Sequence, residues 1–222
     1  MTSPRLFLDT ADIEKLKLAV STGIVDGIAT NPEKIAASGR SYAQVVEEIR
    51  GFFDGPVAVQ AMGRTREEIV DHALSLHAMD NNLAVKVTCT LEGIAAIEEL
   101  VPRGVRTNCT LIYSASQGLA AGLAGSPFIS PFVGRAEMAG QDGIEVIGQI
   151  RRIYDRYGIE SCIIAASIKS VTQVIESVIA GADAVAVTWP VFEGMIEHPL
   201  TEKGYEQFLE HFKSIEGAFS GS

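Results

Sequence analysis

Lys86 is the side chain with the most chemistry to offer. It lies inside Leu83-Ala84-Val85-Lys86-Val87-Thr88, a run of strand type rather than a loop. Side chains alternate faces along a strand, so Lys86 shares one face with Ala84 and Thr88, and Val85 and Val87 share the other. With the valines turned towards covering helices, the lysine points inward. Burial disfavours an ammonium ion, and the neutral amine is a nucleophile near neutral pH. A lysine held in a structural ion pair fits the same placement.

Asp9 ends a second apolar run, in which Phe7 and Asp9 face one side and Leu6 and Leu8 the other. A carboxylate there can take and return a proton beside an inward lysine. The competing role is that of a helix cap, because Ala11-Asp12-Ile13-Glu14 follows. Arg135, Ser167 and Lys169 come after later apolar runs. An arginine fork, a hydroxyl and a helix start near Ser170 suit a phosphate group. They also suit a solvated charge and an ordinary cap, and Lys169 reads as exposed.

These residues need elements to hold them. Short apolar runs recur at 6–9, 25–30, 57–61, 83–87, 105–110, 128–132, 162–167 and 184–189. Amphipathic helical patterns alternate with them at 12–20, 42–53, 66–76, 91–100, 116–123, 144–157, 171–179 and 205–215. Strands apolar on both faces, alternating with helices, describe a fully covered parallel sheet. An open doubly wound sheet that binds a dinucleotide has a glycine-rich turn after its first strand, whereas here Asp9-Thr10-Ala11-Asp12 follows. The reading is α/β: one (β/α)8 TIM barrel spanning 1–222, with an extra C-terminal helix.

Active sites of such barrels lie at the C-terminal ends of the strands. Those ends supply Asp9, Asn31, Gln60, Lys86, Asn108, Thr110, Ser130, Phe132, Arg135, Ser167, Lys169 and Trp189. Their common height in the barrel is the signal, more than any single member.

Other chemistries find little support. His72, His77, His198 and His211 form no H-x-H or H-E-x-x-H pattern, so no metal is expected. Ser114 and Ser116 do not stand in a G-x-S-x-G elbow. Cys89, Cys109 and Cys162 are scattered, without a C-x-x-C pair, and indicate a reducing cytoplasm. The 222 residues carry 18 basic and 28 acidic side chains, a formal net charge of −10. That balance argues against a nucleic-acid partner, which needs a basic face. No run approaches membrane-spanning length, and residues 1–9 lack a signal peptide's apolar stretch.

Several motifs together resemble one family, the small transaldolases and fructose-6-phosphate aldolases. They are Leu8-Asp9-Thr10-Ala11, Thr30-Asn31-Pro32, Lys86, Thr107-Asn108-Cys109-Thr110-Leu111, Ser130-Pro131-Phe132-Val133-Gly134-Arg135, Ala165-Ala166-Ser167 and His198-Pro199-Leu200-Thr201. The resemblance implies that Lys86 forms the Schiff base and Asp9 is the acid/base for the C4 hydroxyl of a ketose. It gives the dihydroxyacetone portion to Asn31, Asn108 and Ser130, and the phosphate to Arg135 and Ser167. Gln60 and Thr110 then position a proton-relaying water. It further implies sugar-phosphate substrates, no cofactor, and a homo-oligomer such as the ring-built decamer. Tyr205, Phe208, Phe212, Ile215 and Phe219 offer one helical face for that assembly, or for packing on the chain's own barrel.

The transaldolases usually pair Glu with Phe at the positions of Gln60 and Phe132, and the aldolases pair Gln with Tyr; this chain takes one from each. Ala29 stands where threonine is common and Thr88 where proline is common. Glu33-Lys34 replaces a small hydroxyl and an aliphatic, and Trp189 adds bulk near the eighth strand. The expected activity is transfer of a dihydroxyacetone unit from a phosphorylated ketose to an aldehyde. The runner-up is a fructose-6-phosphate-type aldolase that releases dihydroxyacetone, or a relative acting on a different ketose. A binding protein without turnover is the alternative from another class, and the joint presence of Lys86 and Asp9 speaks against it.

Overall fold

In a computed structural model, which describes residues 3–219, eight parallel strands close into a barrel in sequence order. They are β1 (Arg5–Asp9), β2 (Gly27–Ala29), β3 (Val57–Gln60), β4 (Leu83–Thr88), β5 (Thr107–Ile112), β6 (Phe128–Pro131), β7 (Cys162–Ala165) and β8 (Ala184–Val187). Pairing of β1 with β8, Leu6 opposite Val185, completes the circle. Between the strands run α1 (Ile13–Ser21), α2 (Pro32–Ser38), α3 (Tyr42–Arg50), α4 (Arg66–Met79), α5 (Leu91–Leu100) and α6 (Ala115–Leu123). Further on come α7 (Val133–Met138), α8 (Gly143–Tyr157), α9 (Val171–Ile179) and α10 (Trp189–Ile196), and α11 (Pro199–Phe219) is the extra C-terminal helix. The expected (β/α)8 architecture is what the chain adopts.

The two strand faces have different partners. Outward residues such as Leu8, Val59, Val85 and Val87 join Leu16, Ile49, Ile97 and Ile147 in an apolar layer between barrel and helices. Inward residues Phe7, Ala58, Ala84, Phe128, Ile164, Ala184 and Ala186 form a second, smaller cluster inside the barrel. Four alanines on the facing strands leave space for two phenyl rings, the large-against-small filling that a closed barrel requires. Gly27 belongs to this fit: a Cβ there would lie 2.2 Å from the Phe7 ring.

Helix starts follow from local chemistry. Ser41 with Gln44 and Thr65 with Glu68 form capping boxes for α3 and α4, and Asp12, Thr90, Ser114, Asp142 and Ser170 cap others. Three short helices, α2, α7 and α10, were not foreseen, since six to eight residues carry too little periodicity to register. Four strands also differ from expectation by two residues at an end: β2 starts at Gly27 rather than at 25, and β8 ends at Val187 rather than at 189. β5 starts at Thr107 rather than at 105 and runs on to Ile112, across a register shift at Leu111, whose φ is +60°. β7 ends at Ala165, and Ser167 adopts φ +58°. Leu111 and Ser167, both at upper strand ends, are the two non-glycine residues with left-handed backbone among those described. No helix among the described residues is long and apolar enough to cross a membrane.

Candidate active site

Four central polar residues stand two positions beyond a residue of the apolar barrel filling. Asp9 follows Phe7, Gln60 follows Ala58, Lys86 follows Ala84 and Ser130 follows Phe128. Period-two alternation therefore lifts them together onto the barrel's C-terminal end. Strand register brings neighbours level: Gln60 pairs with Lys86, Lys86 with Asn108, and Thr110 with Ser130.

Lys86 is 8% exposed. Its Nζ donates to the main-chain carbonyl of Thr30, 3.0 Å away at the end of β2, and among the described residues no carboxylate lies within ion-pair distance of it. Burial pushes its pKa below the ordinary lysine value; nearby Asp9 pulls it up, while Lys34 and Arg135 push it further down. Burial thus shifts the balance of Lys86 toward its neutral amine.

Asp9 does not cap α1, a role taken by Asp12. Its Oδ2 lies 2.6 Å from Lys34 Nζ, and its Oδ1 is buried without a partner. Gln60, 7% exposed, donates from Nε2 to the carbonyls of Ala61 and Lys86, each at 3.0 Å. Both partners are acceptors, so the amide nitrogen must face them, and Oε1 remains as the free acceptor. Ser130 Oγ donates to Asn108 Oδ1 at 2.8 Å, which leaves the Asn108 amide N–H groups for another partner. Thr110 Oγ1 and Ser167 Oγ are buried and unpartnered. Buried polar atoms without partners, gathered at one end of a barrel, mark a candidate site for a polar ligand.

The remaining residues sit around this centre. Asn31 caps α2, its Oδ1 accepting from Lys34 N–H at 3.0 Å, which leaves one Oδ1 lone pair and the amide N–H groups for another partner. Phe132 meets Tyr113 edge-on, with ring centroids 5.9 Å apart, and carries the exposed Arg135 guanidinium 5.3 Å above its ring. Arg135 reaches this position because Gly134 allows α7 to press on the β7 loop, where a Cβ would lie 2.4 Å from Ser167 O. Lys169 is exposed, as expected. Trp189 opens α10 and packs against Phe192, centroids 5.6 Å apart, beside the outer apolar layer.

A sequence model described as Transaldolase/Fructose-6-phosphate aldolase matches residues 6–219. The chain belongs to this family. Among similar members are a probable transaldolase of Moorella thermoacetica, 41% identical over 211 residues, and one of Leptospira biflexa, 42% identical over 210. Each alignment covers 95% of this chain and 98% of the relative. A probable transaldolase of Thermoplasma acidophilum is 39% identical over 214 residues, covering 95% and 96% of the two chains. Thiamine phosphate pyrophosphorylase from Pyrococcus furiosus is similar in fold, with a TM-score of 0.57 at 17% identity, over 83% of this chain and 85% of its own.

In this member of the family, sequence reasoning missed two contributors. Lys34 registered only as a departure from the usual residue, yet it contacts Asp9. The Thr30 carbonyl, the hydrogen-bond acceptor for Lys86, is main chain and leaves no mark in side-chain patterns. A signal for Lys34 did exist: Asn31-Pro32 is a helix start, which places Lys34 in the first turn of α2.

Proposed function

We propose that this protein is a transaldolase that moves a dihydroxyacetone unit from a phosphorylated ketose to an aldehyde through a Schiff base on Lys86. One observation carries the reading: a buried lysine with depressed basicity on the inner face of β4, with the Asp9 carboxylate acting on it. Lys86 attacks the C2 carbonyl of the ketose, and loss of water leaves an iminium ion. Asp9 removes the C4 hydroxyl proton, and the C3–C4 bond breaks. Its electron pair flows into the iminium as an enamine while the aldehyde departs. The enamine carbon then attacks the acceptor aldehyde, the new alkoxide takes the proton back from Asp9, and water releases the product ketose.

Asn31, Asn108 and Ser130 hold the dihydroxyacetone hydroxyls in this reading, and Arg135 and Ser167 take the phosphate, with Lys169 at the outer edge. The probable transaldolases that resemble the chain support transfer over release. So does the water site. Gln60 has both amide donors engaged and can offer water only an acceptor, Thr110 offers a hydroxyl that donates or accepts but is no base, and Phe132 adds no hydroxyl. Water is held there without a base of its own. The second reading, an aldolase releasing dihydroxyacetone, draws on Gln60 alone.

Borohydride treatment with dihydroxyacetone tests the chemistry. A covalent adduct should map to Lys86 by peptide mass and vanish in Lys86→Ala. Turnover without an adduct, or turnover that needs a divalent metal, overturns the reading. With acceptor saturating, transferred product should exceed released dihydroxyacetone; the reverse ratio replaces transaldolase by aldolase.

A further inference from the structure

We propose that Lys34 is a positioning residue, which clamps Asp9 so that one carboxylate oxygen is fixed and the other is free to exchange a proton with substrate. The inference rests on Lys86 and Asp9 being the reacting pair.

The clamp has two points on one residue. Lys34 Nζ lies 2.6 Å from Asp9 Oδ2 and also donates to the main-chain carbonyl of Asp9. The Lys34 backbone is fixed in turn, since its N–H is bound by Asn31 Oδ1 in the first turn of α2. One side chain therefore ties the upper end of β1 to the helix that follows β2. The pair is three-quarters buried, at 24% and 22% exposure, unlike the surface pair Lys15–Asp12 at 46% each. An exposed pair of that kind holds no geometry, whereas a sheltered, two-point contact does. Asp9 Oδ1 is buried and unpartnered. The two carboxylate oxygens thus have different surroundings: Oδ2 is anchored, and Oδ1 has an open lone pair for the C4 hydroxyl.

The clamp also sets the charge balance at Lys86. The charged groups acting on that amine are Asp9 from β1, Lys34 from α2 and Arg135 from α7. Asp9 favours its ammonium form, while Lys34 and Arg135 oppose it. With the Lys34 charge removed, Asp9 acts with less opposition and Lys86 holds its proton to higher pH. Attack on a carbonyl requires the neutral amine, so the acid limb of Schiff-base formation must move in the alkaline direction.

The test measures the rate of borohydride-trapped dihydroxyacetone adduct against pH in wild type, Lys34→Met, Lys34→Gln and Lys34→Arg. In the two neutral variants the midpoint should rise by about one pH unit. Their kcat with a ketose phosphate should fall roughly ten- to hundredfold, as expected when a proton-transfer group is misplaced. Lys34→Arg should keep the wild-type midpoint. A neutral variant with wild-type midpoint and kcat overturns the clamp, and so does an equal shift in the arginine variant. If wild type forms no adduct at any pH, the proposed function itself fails.

Discussion

Replacing Ser130 by alanine removes one hydroxyl from the centre of the site, and the structure sets the size of the effect. Ser130 Oγ donates to Asn108 Oδ1 at 2.8 Å, and the two residues are 4% and 3% exposed. The amide oxygen of Asn108 then has no donor and no ready access to water, which costs about 1–3 kcal/mol. At this chain length each kcal/mol lowers Tm by roughly 2–4 °C, so a fall of about 2–12 °C is expected by calorimetry. The amide also loses the contact that fixes its rotation, so adduct formation with dihydroxyacetone should need a higher donor concentration. A double-mutant cycle with Asn108→Ala isolates the pair: the double variant should cost less than the two singles together by about 1–2 kcal/mol. Additive costs, within roughly 0.5 kcal/mol, would mean that the Ser130–Asn108 bond does not organise the site.

Two further outcomes follow from the rim and the C-terminal helix. Arg135→Ala should reduce kcat/KM for a phosphorylated ketose at least about tenfold more than for its unphosphorylated analogue, because losing a charged partner that the bound phosphate desolvates costs roughly 2–5 kcal/mol; equal losses would make Arg135 a support for the Phe132 ring. Light scattering should show an assembly larger than the 23.7 kDa chain, since Tyr205, Phe208 and Phe212 on α11 are exposed rather than packed on the barrel, and Phe208→Glu should weaken it; a fully active wild-type monomer would refute this, while the side chains of Ile215 and Phe219 lie outside the described residues.

What could be read from sequence depended on the range of the forces involved. Strand alternation is local, so the inward placement of Phe7 with Asp9 and of Ala84 with Lys86 was legible, and the barrel with it. Existence of the long helices was legible too, though α11 begins at Pro199, well before the 205 read from its apolar stripe, because proline and polar residues fill its first turn. Contacts that cross between elements were not legible. The reach of Lys34 to Asp9 depends on how α2 leaves β2, and the pairing of Gln60 Nε2 with two carbonyls on neighbouring main chain depends on barrel curvature. Left-handed backbone at Leu111 and Ser167 likewise answers to tertiary fit, since neither residue type favours it.

The filled lower half of the barrel bears on how this protein can diversify. Phe7, Phe128 and the alanines around them plug the channel beneath Lys86, so the lysine can be approached from one side only. Residues at the opening, among them Phe132 and Arg135, are then open to substitution that changes which ligand enters without disturbing the plug. Substitution within the plug has the opposite character. A methyl group at Gly27 would drive into the Phe7 ring, two residues below Asp9, and shift Asp9 relative to Lys86. Ligand preference can therefore change by drift around the opening, while Lys86 and Asp9 are inherited as a block with the plug beneath them.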